Sequence, residues 1–187
     1  MLEKIQELDV NLFIYLNSLG SEKFDNFWLI ITSQLNWTPL FLLMFYLIYR
    51  KVGGKQLLYI ILFIAVLIAF TDQTTNFVKN TVERLRPCNN PDINSFIRIV
   101  KARSSYSFFS GHAANTMAVA TFLYLVLKRN FKYLGFLFLW PLIFAYSRIY
   151  LGLHYPGDIL SGYFFGAIFG FVTFKIYQKL KPRYFLG

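Results

Sequence analysis

The stretch QLLYIILFIAVLIAFTDQTTNFV, residues 56–78, carries one charged residue, Asp72. A helix needs about 20 mostly apolar residues to cross the hydrocarbon core of a bilayer, and this run supplies them with no alternation of polar and apolar positions. Lys79 follows at once. Working outward, four more stretches read the same way: Phe27–Tyr49, Gly111–Leu127, Tyr133–Tyr150 and Asp158–Tyr177. Lipid offers no water to unpaired backbone groups, so only helices and closed barrels span it. Without period-2 patterning the choice falls on helices. The expected fold is an all-α, polytopic membrane bundle of five spans in a single domain, residues 1–187.

Composition agrees. The 187 residues are 56% hydrophobic, 20% aromatic and only 15% charged, with a mean hydropathy of +0.46. A soluble domain is nearer a quarter charged. The formal charge of +10 does not point to nucleic acid, because its distribution follows the spans. Three basic clusters fall at span ends: Arg50, Lys51 and Lys55; Lys128, Arg129 and Lys132; Lys175, Lys179, Lys181 and Arg183. Five alternating spans put all three on one side. Short loops rich in Lys and Arg stay cytoplasmic, so the C-terminus is expected in the cytoplasm and the protein in the cell (inner) membrane. The lone cysteine, Cys88, excludes an internal disulfide.

The N-terminus differs. Leu2, Ile5, Leu8, Leu12, Tyr15 and Leu19 recur every three or four residues, with Glu3, Lys4, Glu7 and Asp9 between them. This amphipathic pattern is too polar at its start to span, and residues 1–22 read as an interfacial helix on the outer face. A sixth span is the alternative. No cleavable signal is expected, since no basic region precedes a compact apolar core.

The longest non-membrane stretch, residues 79–109, lies on the outer side and breaks the charge rule. It carries Lys79, Arg84, Arg86, Arg98, Lys101 and Arg103 against Glu83 and Asp92. An anionic ligand supplies a reason for them. Three segments on this side hold unusual polar groups. In KNTVERLRP (79–87), a lysine point charge and a guanidinium fork suit a phosphate; snorkelling to headgroups is the other reading. In SFFSGHAAN (107–115), Ser110 is placed to cap a helix beginning near Gly111, and a helix start with free N–H groups accepts an anion. His112 there is either a bystander or a proton donor. In SRIYLGLHYPGD (147–158), Asp158 can orient the imidazole of His154, or simply pair with Arg148. The chain's two histidines both fall at outer helix ends beside arginines.

Taken together, Lys79-x6-Arg86-Pro87, Ser110-Gly111-His112 and Ser147-Arg148-x5-His154-x3-Asp158 resemble the three motifs of the type 2 phosphatidic acid phosphatase family, in order and with the family's internal spacing, over roughly residues 56–177. The resemblance implies a helical core shared with acid phosphatases and vanadium haloperoxidases. It implies that His154 attacks phosphorus to form a phosphohistidine, that Asp158 orients it, and that His112 protonates the leaving oxygen. Lys79, Arg86, Arg148, Ser110 and the Gly111 backbone would hold the phosphate oxygens. No metal or other cofactor is implied. The expected activity is a lipid phosphate phosphatase working at the periplasmic or extracellular face, on undecaprenyl diphosphate, phosphatidylglycerol phosphate, phosphatidic acid or lipid A phosphates. A lipid-to-lipid phosphotransferase and a non-catalytic lipid-phosphate transporter or sensor are the rivals. The lipid substrate and the bilayer are the expected partners; nucleic acid is not, and no protein partner is inferable. Phe109 stands where the family usually has Pro, and it reads as an aromatic wall for a headgroup. Arg98, Lys101 and Arg103 are candidate contacts for a second phosphate or, equally, a surface anchor. Asp72, two turns before Lys79, reads as a structural hydrogen-bonding group.

Overall fold

A computed structural model describes residues 2–181; Arg183, of the third basic cluster, lies outside them. The regular elements among the described residues are all helices, with no strand. The elements are α1 (Leu2–Ser18), α2 (Asp25–Thr32), α3 (Thr38–Val52), α4 (Gly54–Val82), α5 (Gly111–Leu127), α6 (Leu139–Tyr150) and α7 (Pro156–Leu180), with short 3-10 turns before α2, α3 and α6 and after α4. Of these, α4 and α7 are long and apolar enough to cross a membrane, while α5 and the stretch Leu134–Tyr150 are shorter apolar helices.

The first expected span, Phe27–Tyr49, is not continuous. The chain breaks at Ser33, which is extended, and the helices on either side are bent by 72°. The break is stabilised locally. Asn36 Nδ2 donates to the Ile30 carbonyl at 2.9 Å and Trp37 Nε1 to the Ile31 carbonyl at 2.8 Å, which satisfies backbone acceptors that the end of α2 leaves open. Pro39 sits in the first turn of α3, where its missing N–H is harmless. An apolar window sees only the hydropathy on both sides and reads one span.

The N-terminal helix also has a twist. Its apolar stripe, Ile5, Leu8, Leu12 and Tyr15, is exposed. The face turned towards the bundle is instead Asp9, Phe13 and Asn17, one turn apart. Phe13 is wholly buried and packs edge-on to Tyr155, with ring centroids 5.4 Å apart. Asn17 donates to the carbonyls of Arg98, Ile149 and Tyr150, each at 3.1 Å. The stripe is left exposed.

The bundle centres on α5 and α7. Along α7, Gly162, Gly166 and Gly170 recur every fourth residue against α5. A Cβ at Gly166 would lie 2.3 Å from the Ala114 carbonyl oxygen, and one at Gly170 2.4 Å from that of Ala118. Small residues let helix backbones meet in lipid. The far half of the core, built on Ile60, Ile64, Leu67, Phe122, Leu123 and Tyr177, carries the basic clusters at its end: Lys128, Arg129, Lys175 and Lys181 line one cavity there.

This contact generates a test. Gly166→Val should destabilise the protein by about 1–3 kcal/mol, the usual cost of overpacking, read as a lower midpoint of unfolding in detergent. Gly135→Ala is the control, since a Cβ there meets nothing within 4 Å, and its midpoint should match wild type. Equal midpoints for Gly166→Val and wild type would mean that α5 and α7 are not in backbone contact.

Candidate active site

At the end of the bundle opposite the basic clusters lies a cavity of about 550 Å³. Its lining includes Lys79, Arg86, Lys101, Arg103, Arg148, Gly111, His112 and His154. Each arrives for a local reason. Helix α4 ends at Glu83, whose φ of 52 is left-handed and whose N–H bonds the Lys79 carbonyl at 3.0 Å. Lys79 therefore sits in the last turn, and its Nζ donates to the Tyr106 carbonyl at 2.9 Å. Beyond the cap the chain runs to Arg86, extended as a residue before proline must be.

Arg86 is buried and fully engaged. Its Nε donates to the Ser105 carbonyl at 2.6 Å, Nη2 to Ser105 Oγ at 3.0 Å, and Nη1 to the Leu153 carbonyl and His154 Nε2, both at 2.9 Å. Because a guanidinium only donates, His154 Nε2 accepts. The proton of a neutral imidazole is then on Nδ1, which faces Asp158 Oδ2 at 3.3 Å. His154 is 1% exposed. Burial, and next the charge of Arg86, hold its pKa well below the ordinary histidine value. The result is a neutral ring with its lone pair on the cavity side.

Asp158 does several jobs at once. Its Oδ2 accepts from the Tyr155 backbone N–H at 3.0 Å, capping α7, from the Ser107 hydroxyl, and from His154. Its Oδ1 accepts from Arg84 Nη1 at 2.8 Å. Arg84 lies 3.9 Å over the Tyr155 ring and reaches Asp9 Oδ2 with its other Nη at 2.7 Å. Asp9 Oδ1 in turn accepts from the Gly157 N–H at 2.6 Å. Gly152, with φ of 81, makes the turn that delivers His154; any Cβ there would lie 2.9 Å from the Arg98 carbonyl oxygen.

Across the cavity, Ser110 is the N-cap of α5, its Oγ accepting from the Ala113 N–H at 3.4 Å. His112 stacks on Phe144 with centroids 5.4 Å apart and planes 11° from parallel. Arg148 is 1% exposed; its Nη1 donates to Thr32 Oγ1 at 2.6 Å and its Nε has no partner. Thr32, Ser33, Gln34 and Leu35 all line the cavity, so the break after α2 forms one wall.

Three expected contacts fall elsewhere. Arg98 does not line the cavity. Its Nη2 pairs with Asp25 at 2.9 Å and its guanidinium lies 5.4 Å from the Tyr150 ring, because α1, α2 and the outer loop meet there. Phe109 is 1% exposed and stacks on Phe165 at 5.2 Å, so it packs the bundle and forms no headgroup wall. Ser110 is completely buried and meets the cavity only through the helix it caps. Lys101 and Arg103 do line it. Burial, followed by the charge of Arg103, lowers the pKa of Lys101.

Sequence reading also passed over Arg84, Asp9, Ser107 and Thr32. Arg84 had a signal, standing two residues before Arg86 in the same basic segment. Asp9 and Thr32 had none, because their partners are 75 and 116 residues away.

The chain has known relatives. A family model described as the PAP2 superfamily matches residues 56–182. The chain is 34% identical over 188 residues to a lipid A 4'-phosphatase of Bacteroides thetaiotaomicron, covering 98% of this chain and 83% of that one. It is 28% identical to a lipid A 4'-phosphatase of Porphyromonas gingivalis, covering 98% and 78%. In structure it resembles a transmembrane PAP2-type phosphatidylglycerolphosphate phosphatase from Bacillus subtilis, with a TM-score of 0.72 at 19% identity over 96% of this chain and 89% of the other.

The neutral His154 has a thermodynamic consequence. Below about pH 6.5 the unfolded chain takes up a proton at this position and the folded chain does not. Stability is therefore complete above that pH and falls below it, by up to about 1.4 kcal/mol per pH unit from this group. Unfolding midpoints in detergent between pH 6.5 and 5.5 should fall more steeply for wild type than for His154→Asn. Identical slopes would show that the folded protein protonates His154 normally.

Proposed function

The chain belongs to the PAP2 superfamily, and from that premise we propose that it is a metal-independent lipid phosphate phosphatase that works through a phosphohistidine on His154. Its relatives are phosphoric-ester hydrolases of membrane lipids. The observation that carries the mechanism is the setting of His154, its Nδ1 towards Asp158 and its Nε2 in a cavity walled by Lys79, Arg86 and Arg148.

The lone pair of Nε2 attacks phosphorus, and the bond from phosphorus to the lipid-side oxygen breaks. His112 donates its proton to that leaving oxygen, and then takes one from the water that hydrolyses the phosphohistidine. Arg86 leaves Nε2 for a phosphate oxygen as substrate enters. Lys79 and Arg148 take other oxygens, with Lys101, Arg103 and the Gly111 backbone at the rim. Phosphoryl transfer depends mainly on positioning and charge neutralisation, which these cations supply. As the His154 ring gains positive charge on bonding to phosphorus, Asp158 stabilises it; Arg84 keeps Asp158 in place.

Two finer readings follow. The extensive match to lipid A 4'-phosphatases favours a lipid A phosphate among the four candidate substrates. The basic residues gathered at the far end favour a cytoplasmic C-terminus under the positive-inside rule, and so an active site on the periplasmic face of the inner membrane.

The test is phosphate release by purified protein in detergent from lipid A, undecaprenyl diphosphate, phosphatidylglycerol phosphate and phosphatidic acid. Wild type should release phosphate fastest from lipid A, with vanadate inhibiting and EDTA without effect. His154→Ala should lower the rate by at least about 10³-fold while the protein stays folded. Substantial turnover by that variant removes His154 as nucleophile, and EDTA inhibition reversed by a divalent metal removes the metal-independent mechanism.

A further inference from the structure

One residue in the cavity wall has the wrong sign for a phosphate site. Asp72 projects from α4 seven residues before Lys79, about 10 Å lower along the helix, and it is exposed. It lines the cationic cavity and also a second cavity of about 320 Å³. That second cavity is apolar, walled by Trp37, Phe41, Met44, Ile64, Trp140 and Phe144. Gln34 and Asn115 are shared between the two in the same way. A polar neck thus joins a chamber fit for phosphate to one fit for hydrocarbon.

The neck has a definite hydrogen-bonding character. Asp72 Oδ1 accepts from Asn115 Nδ2 at 2.6 Å, and among the described residues no cation pairs with Asp72. Since a carboxylate only accepts, Asn115 is fixed with its NH₂ on Asp72 and its Oδ1 turned away. That Oδ1 is buried with no partner. Asp72 and Asn115 Oδ1 therefore present acceptors at the neck. A carboxylate at this depth in a spanning helix is costly, so its default reading is functional. It repels phosphate and cannot hold one. It faces whatever carries the phosphate.

We propose that Asp72 and Asn115 determine substrate specificity, selecting a lipid whose phosphate is borne by a group rich in hydroxyl or amide N–H donors, as in an acylated sugar phosphate, over a bare prenyl diphosphate. This rests on the lipid phosphatase reading and adds to it which part of the site reads the carrier. A sugar beside the phosphate places donors at the neck and its acyl chains in the apolar cavity. A prenyl diphosphate has no donor between phosphate and hydrocarbon, and leaves the buried Asn115 Oδ1 without a partner. Discrimination by buried polar groups left unpaired is large.

The experiment compares two substrates in detergent, a diacylated glucosamine phosphate and farnesyl diphosphate, on wild type, Asp72→Ala, Asp72→Asn and Asn115→Ala. Asp72→Ala should lower kcat/KM for the sugar phosphate by about 10- to 100-fold, the worth of a hydrogen bond to a charged group, mostly through KM. For farnesyl diphosphate kcat/KM should stay within about threefold or rise. Asp72→Asn is isosteric, keeps the fold if Ala does not, and should shift the ratio of the two substrates in the same direction; so should Asn115→Ala. An unchanged ratio, whether both activities fall together or neither moves, overturns the proposal and leaves the phosphatase reading standing. Failure of wild type to hydrolyse either substrate overturns that reading itself, and this one with it.

Discussion

The buried carboxylate of Asp158 is the point on which the outer half of this protein hangs. Without exposure, a carboxylate is costly unless every lone pair has a partner. Its partners come from four parts of the chain: the Tyr155 N–H at the start of α7, Arg84 beyond α4, Ser107 in the outer loop, and His154 in the turn after α6. The Ser110 N–H adds a bond to the Asp158 backbone carbonyl at 3.0 Å, which seats α5 against α7. The carboxylate so caps a helix and sets the tautomer of a histidine, while the carbonyl of the same residue joins the two central helices.

Arg84 extends this network outward. By bridging Asp158 and Asp9 it couples α1 to the site, and Asp9 caps the start of α7 from outside through Gly157. The helix that lies along the surface, with its apolar stripe outward, is therefore tied to the dyad by charge. The same economy of polar groups appears at the break after α2. There Asn36 and Trp37 close the open carbonyls, and Thr32 is left to meet Arg148. Irregular backbone is tolerated in membrane proteins where it lines a cavity, and this one does.

The far half of the bundle follows a different rule. It holds no such network among the described residues and relies on apolar packing and close backbone approach, with the glycine face of α7 against Ala114 and Ala118. Rigid contact between α5 and α7 keeps His112, on the first, in register with His154, just before the second. Packing that looks purely structural thus sets the spacing between the proposed nucleophile and the proposed acid.

From sequence alone, hydropathy and spacing determined the helical membrane class, the basic end, and the three polar segments that form the cavity. Those are local signals: a span is a run, a cap is one residue, and Lys79, Arg86, His112, Arg148 and His154 each sit at or within a few residues of a helix end that hydropathy marks. Tertiary structure decided which polar groups meet. It took Arg98 out of the cavity to Asp25, buried Phe109 on Phe165, broke the first span, and brought in Arg84, Asp9 and Thr32. Asp72 gained its partner Asn115 from 43 residues away. The reason is physical. Burial in lipid forces each polar group to find some partner, but which one depends on how the helices pack, and no window along the chain contains that.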